Sequence, residues 1–302
     1  MVESKVVVVT GAGRGIGRAI ALLMAQHGAS VVVNDIGASL GGDGTDATPA
    51  QEVVNEIKQA GGVAVANYDS VAEFQSAAKI IQCAADTFGR IDCVVNNAGI
   101  LRDVIFHKMT EGDWDAALTV LLKGAFNTSR HAADHFRKQE SGAFVHMTST
   151  SGLIGSMGQA NYSAAKLGLV GLSKSIAVDM ARFNVRSNCI APVAWTRMTS
   201  SIPSKDPNAA KRIARYQQIT PDYNAPLVVF LASDAASGVN AQVFSVRKNE
   251  IFLMSQSRPL RGMHRADGWT PETCAEQLYP ALKSGFYPPT ERTNEVFSWD
   301  PI

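Results

Sequence analysis

Val6-Val-Val-Val9-Thr10-Gly11-Ala12-Gly13-Arg14-Gly15-Ile16-Gly17 reads as a buried strand that breaks at once into a glycine turn. Four consecutive β-branched residues favour an extended chain, and an apolar run without alternation fits a parallel strand covered on both faces. The amphipathic stretch Arg18 to His27 follows as a helix. Strand, glycine turn and helix in this order bring backbone amides and a helix N-terminus to one point, where a pyrophosphate is stabilised. Gly11, Gly15 and Gly17, in the spacing Gly-x-x-x-Gly-x-Gly, are therefore candidate cofactor-binding residues, together with Arg14 and Ile16.

The next strand, Ser30 to Val33, ends in Asn34-Asp35, with Asp35 24 residues after Gly11. A carboxylate there accepts both ribose hydroxyls of an adenosine and repels a 2′-phosphate. At about 5 Å and an effective dielectric of about 20 that repulsion is roughly 3 kcal/mol per unit charge. Arg14 argues the other way, but a solvated loop arginine contributes at most about 1 kcal/mol. NAD is therefore expected over NADP.

Chemistry is read from Ser149-Thr-Ser-Gly-Leu-Ile-Gly-Ser-Met-Gly-Gln-Ala-Asn-Tyr162-Ser-Ala-Ala-Lys166. A separation of four puts the Tyr162 phenol and the Lys166 ammonium on one helix face, where the cation favours the phenolate. A phenol with pKa near 10 in water then becomes a base nearer neutral pH. Ser149 is the hydroxyl partner that steadies the substrate oxygen. Ser149, Tyr162 and Lys166 are thus the candidate catalytic residues of redox chemistry on an alcohol or ketone.

With these residues in place, the chain resembles the short-chain dehydrogenase/reductase family from about residue 3 to about residue 245. The resemblance rests on Thr10 to Gly17, Asp69 in Asn67-Tyr68-Asp69-Ser70-Val71, Asn96-Asn97-Ala98-Gly99, Ser149, Tyr162, Lys166 and Pro192 to Thr196. It implies that Asp69, Ser70 and Val71 lie along the adenine. It further implies that Asn96, Ala98 and Gly99 line the cofactor and brace the central strands, that Lys166 bonds the nicotinamide ribose, and that Pro192, Val193 and Thr196 flank the carboxamide. Two positions depart from the family pattern. Leu121, in Val120-Leu-Leu-Lys-Gly124, stands where most members carry an asparagine that holds a relay water, and Val193 stands where glycine is common.

The insert Gly37 to Pro49, with Ala66-Asn-Tyr-Asp-Ser-Val71, Asn97-Ala-Gly-Ile-Leu-Arg-Asp103 and Thr196-Arg-Met-Thr199, is similar to the (3R)-hydroxyacyl-CoA dehydrogenase domain of peroxisomal multifunctional enzyme type 2. Those domains are related to proteins described as 17β-hydroxysteroid dehydrogenase type 4. The resemblance implies NAD-dependent oxidation of a 3-hydroxyacyl-CoA, fatty or steroid-derived. Alternatives are a 17β-hydroxysteroid or steroid-CoA dehydrogenase, a 3-oxoacyl-carrier-protein reductase, against which Asp35 counts, and a non-enzymatic sensor or scaffold. The insert also reads as a solvated glycine-rich loop.

Composition sets the outer limits. With 302 residues, 46% hydrophobic and net charge +1, the chain can bury one large core and shows no electrostatic footprint for nucleic acid. No apolar run reaches the roughly 18 residues of a membrane span. Met1 to Lys5 passes directly into the first strand, and Asp300-Pro301-Ile302 is not a peroxisomal address, so a cytoplasmic location is expected. Cys83, Cys93, Cys189 and Cys274 have no metal spacing and are expected as reduced thiols in the core, while the histidines, His146 among them, are expected at the surface or at strand ends. No metal is expected.

Alternating strands and helices predict a single-domain, Rossmann-type doubly wound parallel sheet over residues 1–257, followed by a C-terminal extension over 258–302. Expected helices cover about Pro49 to Ala60, Val71 to Phe88 and Tyr162 to Arg182, and a hairpin turn is expected at Arg247 to Glu250. Met198 to Gln218 reads as a lid or as a polar surface linker. The extension carries Trp269, Tyr279, Phe286, Tyr287, Phe297 and Trp299, too many aromatics for a disordered tail. It is expected to pack on its own subunit or a neighbour in a homodimer or homotetramer. Its Arg258, Arg261, His264 and Arg265 read as a solvated basic turn or as contacts to CoA phosphates.

Overall fold

The valines of the opening strand divide between two cores because successive side chains in a strand point to opposite faces. In the computed structural model, which describes residues 1–196 and 209–286, β1 (Val6–Thr10) is buried throughout. Val7 and Val9 join Val31, Val33, Val95 and Val145 on one face, covered by Ile20 and Met24 of α1 (Gly15–Gln26), Val53 and Ile57 of α2 (Thr48–Gln59) and Val228 of α9 (Ala225–Ala232). Val6 and Val8 join Val32, Val94 and Phe144 on the other, covered by Ile80 and Ile81 of α3 (Phe74–Phe88) and by Ala132 and Phe136 of α5 (Gly124–Gln139). Each buried valine stabilises the fold by roughly 1.5–3 kcal/mol relative to an exposed one.

The remaining strands are β2 (Ser30–Asn34), β3 (Val63–Asn67), β4 (Cys93–Asn96), β5 (Gly142–Met147), β6 (Val185–Val193), β7 (Val243–Arg247) and β8 (Glu250–Leu253). They form one sheet in the order β3-β2-β1-β4-β5-β6-β7-β8. All pairs are parallel except β7 with β8, whose register sets Arg247 opposite Glu250 across the expected turn. The doubly wound sheet is therefore present. Its strand order reverses between β1 and β4, and a crevice opens there beyond the carboxyl ends of the strands.

Helix boundaries differ in detail from expectation. α3 begins at Phe74 rather than Val71, because Ser70 and Ala72 spend their amides on Ser76 Oγ and Ser70 Oγ in a turn. The helix that carries Tyr162 and Lys166, α7, covers Ala160–Asp179 and follows the short α6 (Thr150–Ile154). α4 (Glu111–Leu118) runs into α5 through a π-turn at Thr119–Lys123, a widened turn that places Leu121 inward. Of the expected lid, residues 198–208 lie outside the described residues, and Ala209–Gln217 form a helix, α8. The described part of the extension is mostly exposed and is held by its own contacts: Arg261 to the Ala281 carbonyl and Ser284, and Arg265 to the Gly268 carbonyl and Gln277. Residues 287–302, with Tyr287, Phe297 and Trp299, lie outside the described residues. No described helix is long and apolar enough to cross a membrane.

Candidate active site

Parallel strands bring their carboxyl ends to one edge, so the glycine loop after β1, Asp35 after β2, Asp69 after β3, Asn96 at the end of β4, Ser149 after β5 and Pro192 in β6 all meet there. In the glycine loop, Gly11 (φ +63) and Gly15 (φ +55) take left-handed conformations that a side chain would strain. A Cβ on Gly17 would lie 2.2 Å from the Gly11 carbonyl oxygen, so close packing of the helix against the turn requires glycine there. A Cβ on Gly15 would find only Thr196 Cγ2, 3.7 Å away, so the loop is open on that side. Arg14 forms the N-cap of α1 without a side-chain cap, and no acid occupies the first turn. Ile16 packs against the core below. An open, glycine-walled cradle at an uncapped helix start fits a dinucleotide pyrophosphate.

The two acids beyond it are held differently, Asp35 by backbone amides and Asp69 by side chains. Asp35 accepts the Gly13 amide on Oδ2 at 2.8 Å and the Gly37 amide on Oδ1 at 2.7 Å. Asp69 accepts from Asn67 Nδ2 at 2.9 Å, and Ser70 donates its amide to Ser76 Oγ. The two asparagines after β4 take different roles. Asn97 binds the Thr10 and Gly11 carbonyls through Nδ2 at 2.9 and 3.0 Å and so braces the glycine loop, while Ala98 donates its amide to Thr10 Oγ1. Asn96 turns into the core, where it bonds Ser129 and His146. Gly99 touches Leu121 closely, since a Cβ there would lie 3.0 Å from Leu121 Cδ2.

Ser149 is the N-cap of α6 and accepts the Ser151 amide at 3.1 Å. The Ser149 side chain lies close enough to the Tyr162 phenol to favour its ionised form. Lys166 is buried and donates from Nζ to the Met147 carbonyl at 2.6 Å, with Nζ 5.6 Å from the centre of the Tyr162 ring. The structure thus brings Ser149, Tyr162 and Lys166 together. Their electrostatics differ from expectation. Burial pushes the Tyr162 phenol up to about 12, against the opposing pull of Ser149 and with a smaller push from Asp103. Burial likewise pushes Lys166 down to about 8. Desolvation dominates both displacements, because each charged form loses water at this depth.

Further along the edge, Val193 accepts from Asn224 Nδ2 at 3.2 Å, one residue beyond Pro192, which pairs with Val246. Leu121 is 2% exposed and packs with Ala117, Ala165 and Tyr162.

Several contributors escaped the sequence reading. Asn161 is fully buried and donates to the Arg102 and Asp113 carbonyls at 2.9 Å each, clamping the turn before Tyr162. Its position next to Tyr162 was the available signal. Gln159 donates to Asp103 at 2.8 Å and ties the same turn to the loop after β4. His146 is not at the surface; it lies one residue before the carboxyl end of β5, as the strand-end alternative had it, but fully buried in a central strand covered on both faces. Cys93 and Cys189 are buried free thiols as expected, but Cys83 and Cys274 are only partly buried. Among the described residues no cluster of metal-ligating side chains occurs.

Comparison with known proteins agrees with this geometry. Residues 5–207 match the family model described as short chain dehydrogenase. The chain is 43% identical to peroxisomal multifunctional enzyme type 2 of Mus musculus over 263 residues, 87% of this chain but 34% of that protein, so it spans about a third of that relative's length. It is 38% identical over 283 residues to the hydroxyacyl-CoA dehydrogenase ChsB1 of Mycobacterium tuberculosis, covering 89% of this chain and 86% of that one. The crystal structure of a short chain dehydrogenase from Mycobacterium avium superposes with a TM-score of 0.82 at 40% identity, over 96% of this chain and 98% of that one. The chain belongs to the short-chain dehydrogenase/reductase family, oxidoreductases that act on CH–OH groups.

Proposed function

We propose that the chain oxidises a 3-hydroxyacyl-CoA to the 3-oxoacyl-CoA with NAD, and that Ser149, Tyr162 and Lys166 carry the reaction. The observation that carries this reading is the convergence of Ser149, Tyr162 and the buried Lys166 at the same sheet edge as the glycine cradle and Asp35. Gly11, Gly15, Gly17 and the α1 amides would hold the pyrophosphate, Asp35 the adenosine ribose, and Thr196, across from Gly15, the nicotinamide end. When bound, the nicotinamide would supply the hydride acceptor for the carbinol carbon. Ser149 donates to the substrate oxygen and keeps it within reach of Tyr162 Oη. Tyr162 takes the hydroxyl proton as the C–O bond becomes a carbonyl, and Lys166 compensates the phenolate's charge. The hydroxyacyl-CoA part of the reading is supported by the relative named for that activity. The NAD part is supported by Asp35.

The test is the rise in absorbance of reduced cofactor, with NAD or NADP, over 3-hydroxyacyl-CoA thioesters with short, long and steroid acyl groups and over the free alcohols. Activity confined to NAD and thioesters supports the reading, and Tyr162→Phe should then lose at least about three orders of magnitude in turnover. Activity only on free hydroxysteroids, or only with NADP and a carrier-protein thioester, replaces it with one of the alternatives. Absence of turnover alongside NADH binding favours a sensor.

A further inference from the structure

The insert between β2 and α2 folds back onto the end of β2. The Asp46 amide donates to the Ile36 carbonyl at 2.8 Å. Gly37 (φ +70) lies so close beneath it that a Cβ would sit 1.9 Å from the Asp46 carbonyl oxygen. Asp46 is therefore fixed at the backbone. Its side chain is fixed as well: Oδ1 accepts the Thr48 amide at 2.9 Å, and Oδ2 faces Arg14 Nη2 at 3.8 Å. The hydrogen bonds from Thr48, with a smaller pull from Arg14, hold the carboxyl below its usual range, so it stays charged at neutral pH. The same corner contains Asp35, both of whose oxygens are bound to loop amides, and Pro49, against Gly13. Two neighbouring arginines are matched in the same way, Arg102 with Asp43 of the insert at 3.2 Å and Arg18 with Glu56 of α2.

We propose that Asp46 is a specificity-determining residue for the nucleotide: it occupies the Arg14 guanidinium and so withholds the glycine loop's cation from a 2′-phosphate. This inference deepens the NAD reading above and rests on it. A 2′-phosphate needs a cationic partner near the adenosine ribose, and Arg14 is the loop's own candidate. Asp46 takes that partner first, and its charge adds to the repulsion already exerted by Asp35. Both charges are partly exposed, so their effects are modest singly and act in the same direction.

The test is the binding of NADPH and of NADH to the full chain at low ionic strength, read from quenching of intrinsic tryptophan fluorescence. Wild type is compared with Asp46→Asn, Arg14→Ala and the double variant. Asparagine keeps an oxygen for the Thr48 amide, and retained NADH binding verifies that the loop stays closed. Asp46→Asn should tighten NADPH about three- to tenfold and change NADH by less than about twofold, with the gain shrinking in added salt. The gain should vanish in the double variant. An unchanged NADPH affinity in Asp46→Asn, or a gain that persists without Arg14, overturns the proposal. A wild-type chain that binds NADPH more tightly than NADH overturns the NAD reading instead. The role of Asp46 is still decided by the NADPH titrations alone.

Discussion

Leu121 and Tyr162 share one apolar cluster with Ala117, Ala165, Leu118 and Leu122, so a leucine packs against the flank of the Tyr162 phenol. Most of the family, by the resemblance, carries a polar side chain that holds water at this point. Leu121→Asn places an amide in a pocket with little to bond and should lower the unfolding free energy by about 1–3 kcal/mol. Turnover in alcohol oxidation should fall no more than about fivefold, because the leucine gives Tyr162 packing and no hydrogen bond. Chemical denaturation with steady-state kinetics checks both. A clear increase in turnover would instead show that Leu121 limits proton release.

The opposite displacements of Tyr162 and Lys166 set the pH dependence of the reaction. With the phenol pushed up to about 12 and the ammonium down to about 8, the pair loses its first proton near pH 8. A site with one proton fewer has room for the proton that the alcohol releases. The kcat/KM for alcohol oxidation should therefore rise about tenfold per pH unit below about pH 8 and level off above it, while that for carbonyl reduction stays level below about pH 8 and falls above it. Lys166→Arg keeps the charge and cannot release it near neutrality, so its oxidation limb should move to higher pH. An identical limb in both proteins would remove Lys166 from the titrating pair.

How far the sequence reveals this site depends on what kind of interaction is asked about. Val6 to Gly17 announce a strand, a turn and a helix because β-branched and glycine residues act locally, and the Tyr162–Lys166 spacing predicts their approach. Spacing carries no measure of desolvation, so the upward displacement of the phenol could not be read. The Arg247–Glu250 turn was legible, since its register is set within a few residues. The return of Asp46 to Arg14, the clamp of Asn161 on Arg102 and Asp113, and the grip of Asn97 on Thr10 and Gly11 depend on tertiary placement. His146 lay between readable and unreadable. Its neighbours Val145 and Met147 marked a strand buried on both faces, which already implied an interior histidine.

That histidine should appear in acid stability. Thr128 donates to Asn96 Oδ1, which turns the Asn96 amide nitrogen toward His146 Nδ1 at 3.2 Å. Nδ1 therefore accepts, and Nε2 donates to Ser187 Oγ at 3.2 Å. A second ring proton would oppose the amide N–H, and burial, with a lesser contribution from Lys166, pushes the imidazole down to about 3. The folded value lies below the unfolded one near 6.5, so the stabilisation is present above about pH 6.5 and is lost as pH falls toward 3. The full loss is on the order of 5 kcal/mol. His146→Gln, which cannot ionise, should be less stable than wild type at pH 7 by about 1–3 kcal/mol and lose less on acidification. Denaturation at a series of pH values tests this, and parallel curves for the two proteins would show that His146 contributes no proton linkage.

Gly17 offers the sharpest steric test of the cofactor cradle. It lies in the first turn of α1 with no positive φ, so alanine there meets no backbone penalty and would ordinarily favour the helix. Its Cβ would nevertheless fall 2.2 Å from the Gly11 carbonyl oxygen and 2.5 Å from Asn97 Nδ2. Neither neighbour is free to yield, because Asn97 is bonded to the carbonyls of Thr10 and Gly11. The loop must open instead, at a cost of about 1–3 kcal/mol in stability. Gly17→Ala should therefore lower Tm and weaken NADH binding at least about tenfold, because the amides proposed to hold the pyrophosphate move with the loop. At Gly171, in the exposed part of α7, a Cβ has nothing within 4 Å, so Gly171→Ala should leave NADH binding intact and raise stability by up to about 1 kcal/mol. Equal NADH affinity in the two variants would mean that contact between α1 and the glycine turn does not shape the nucleotide site.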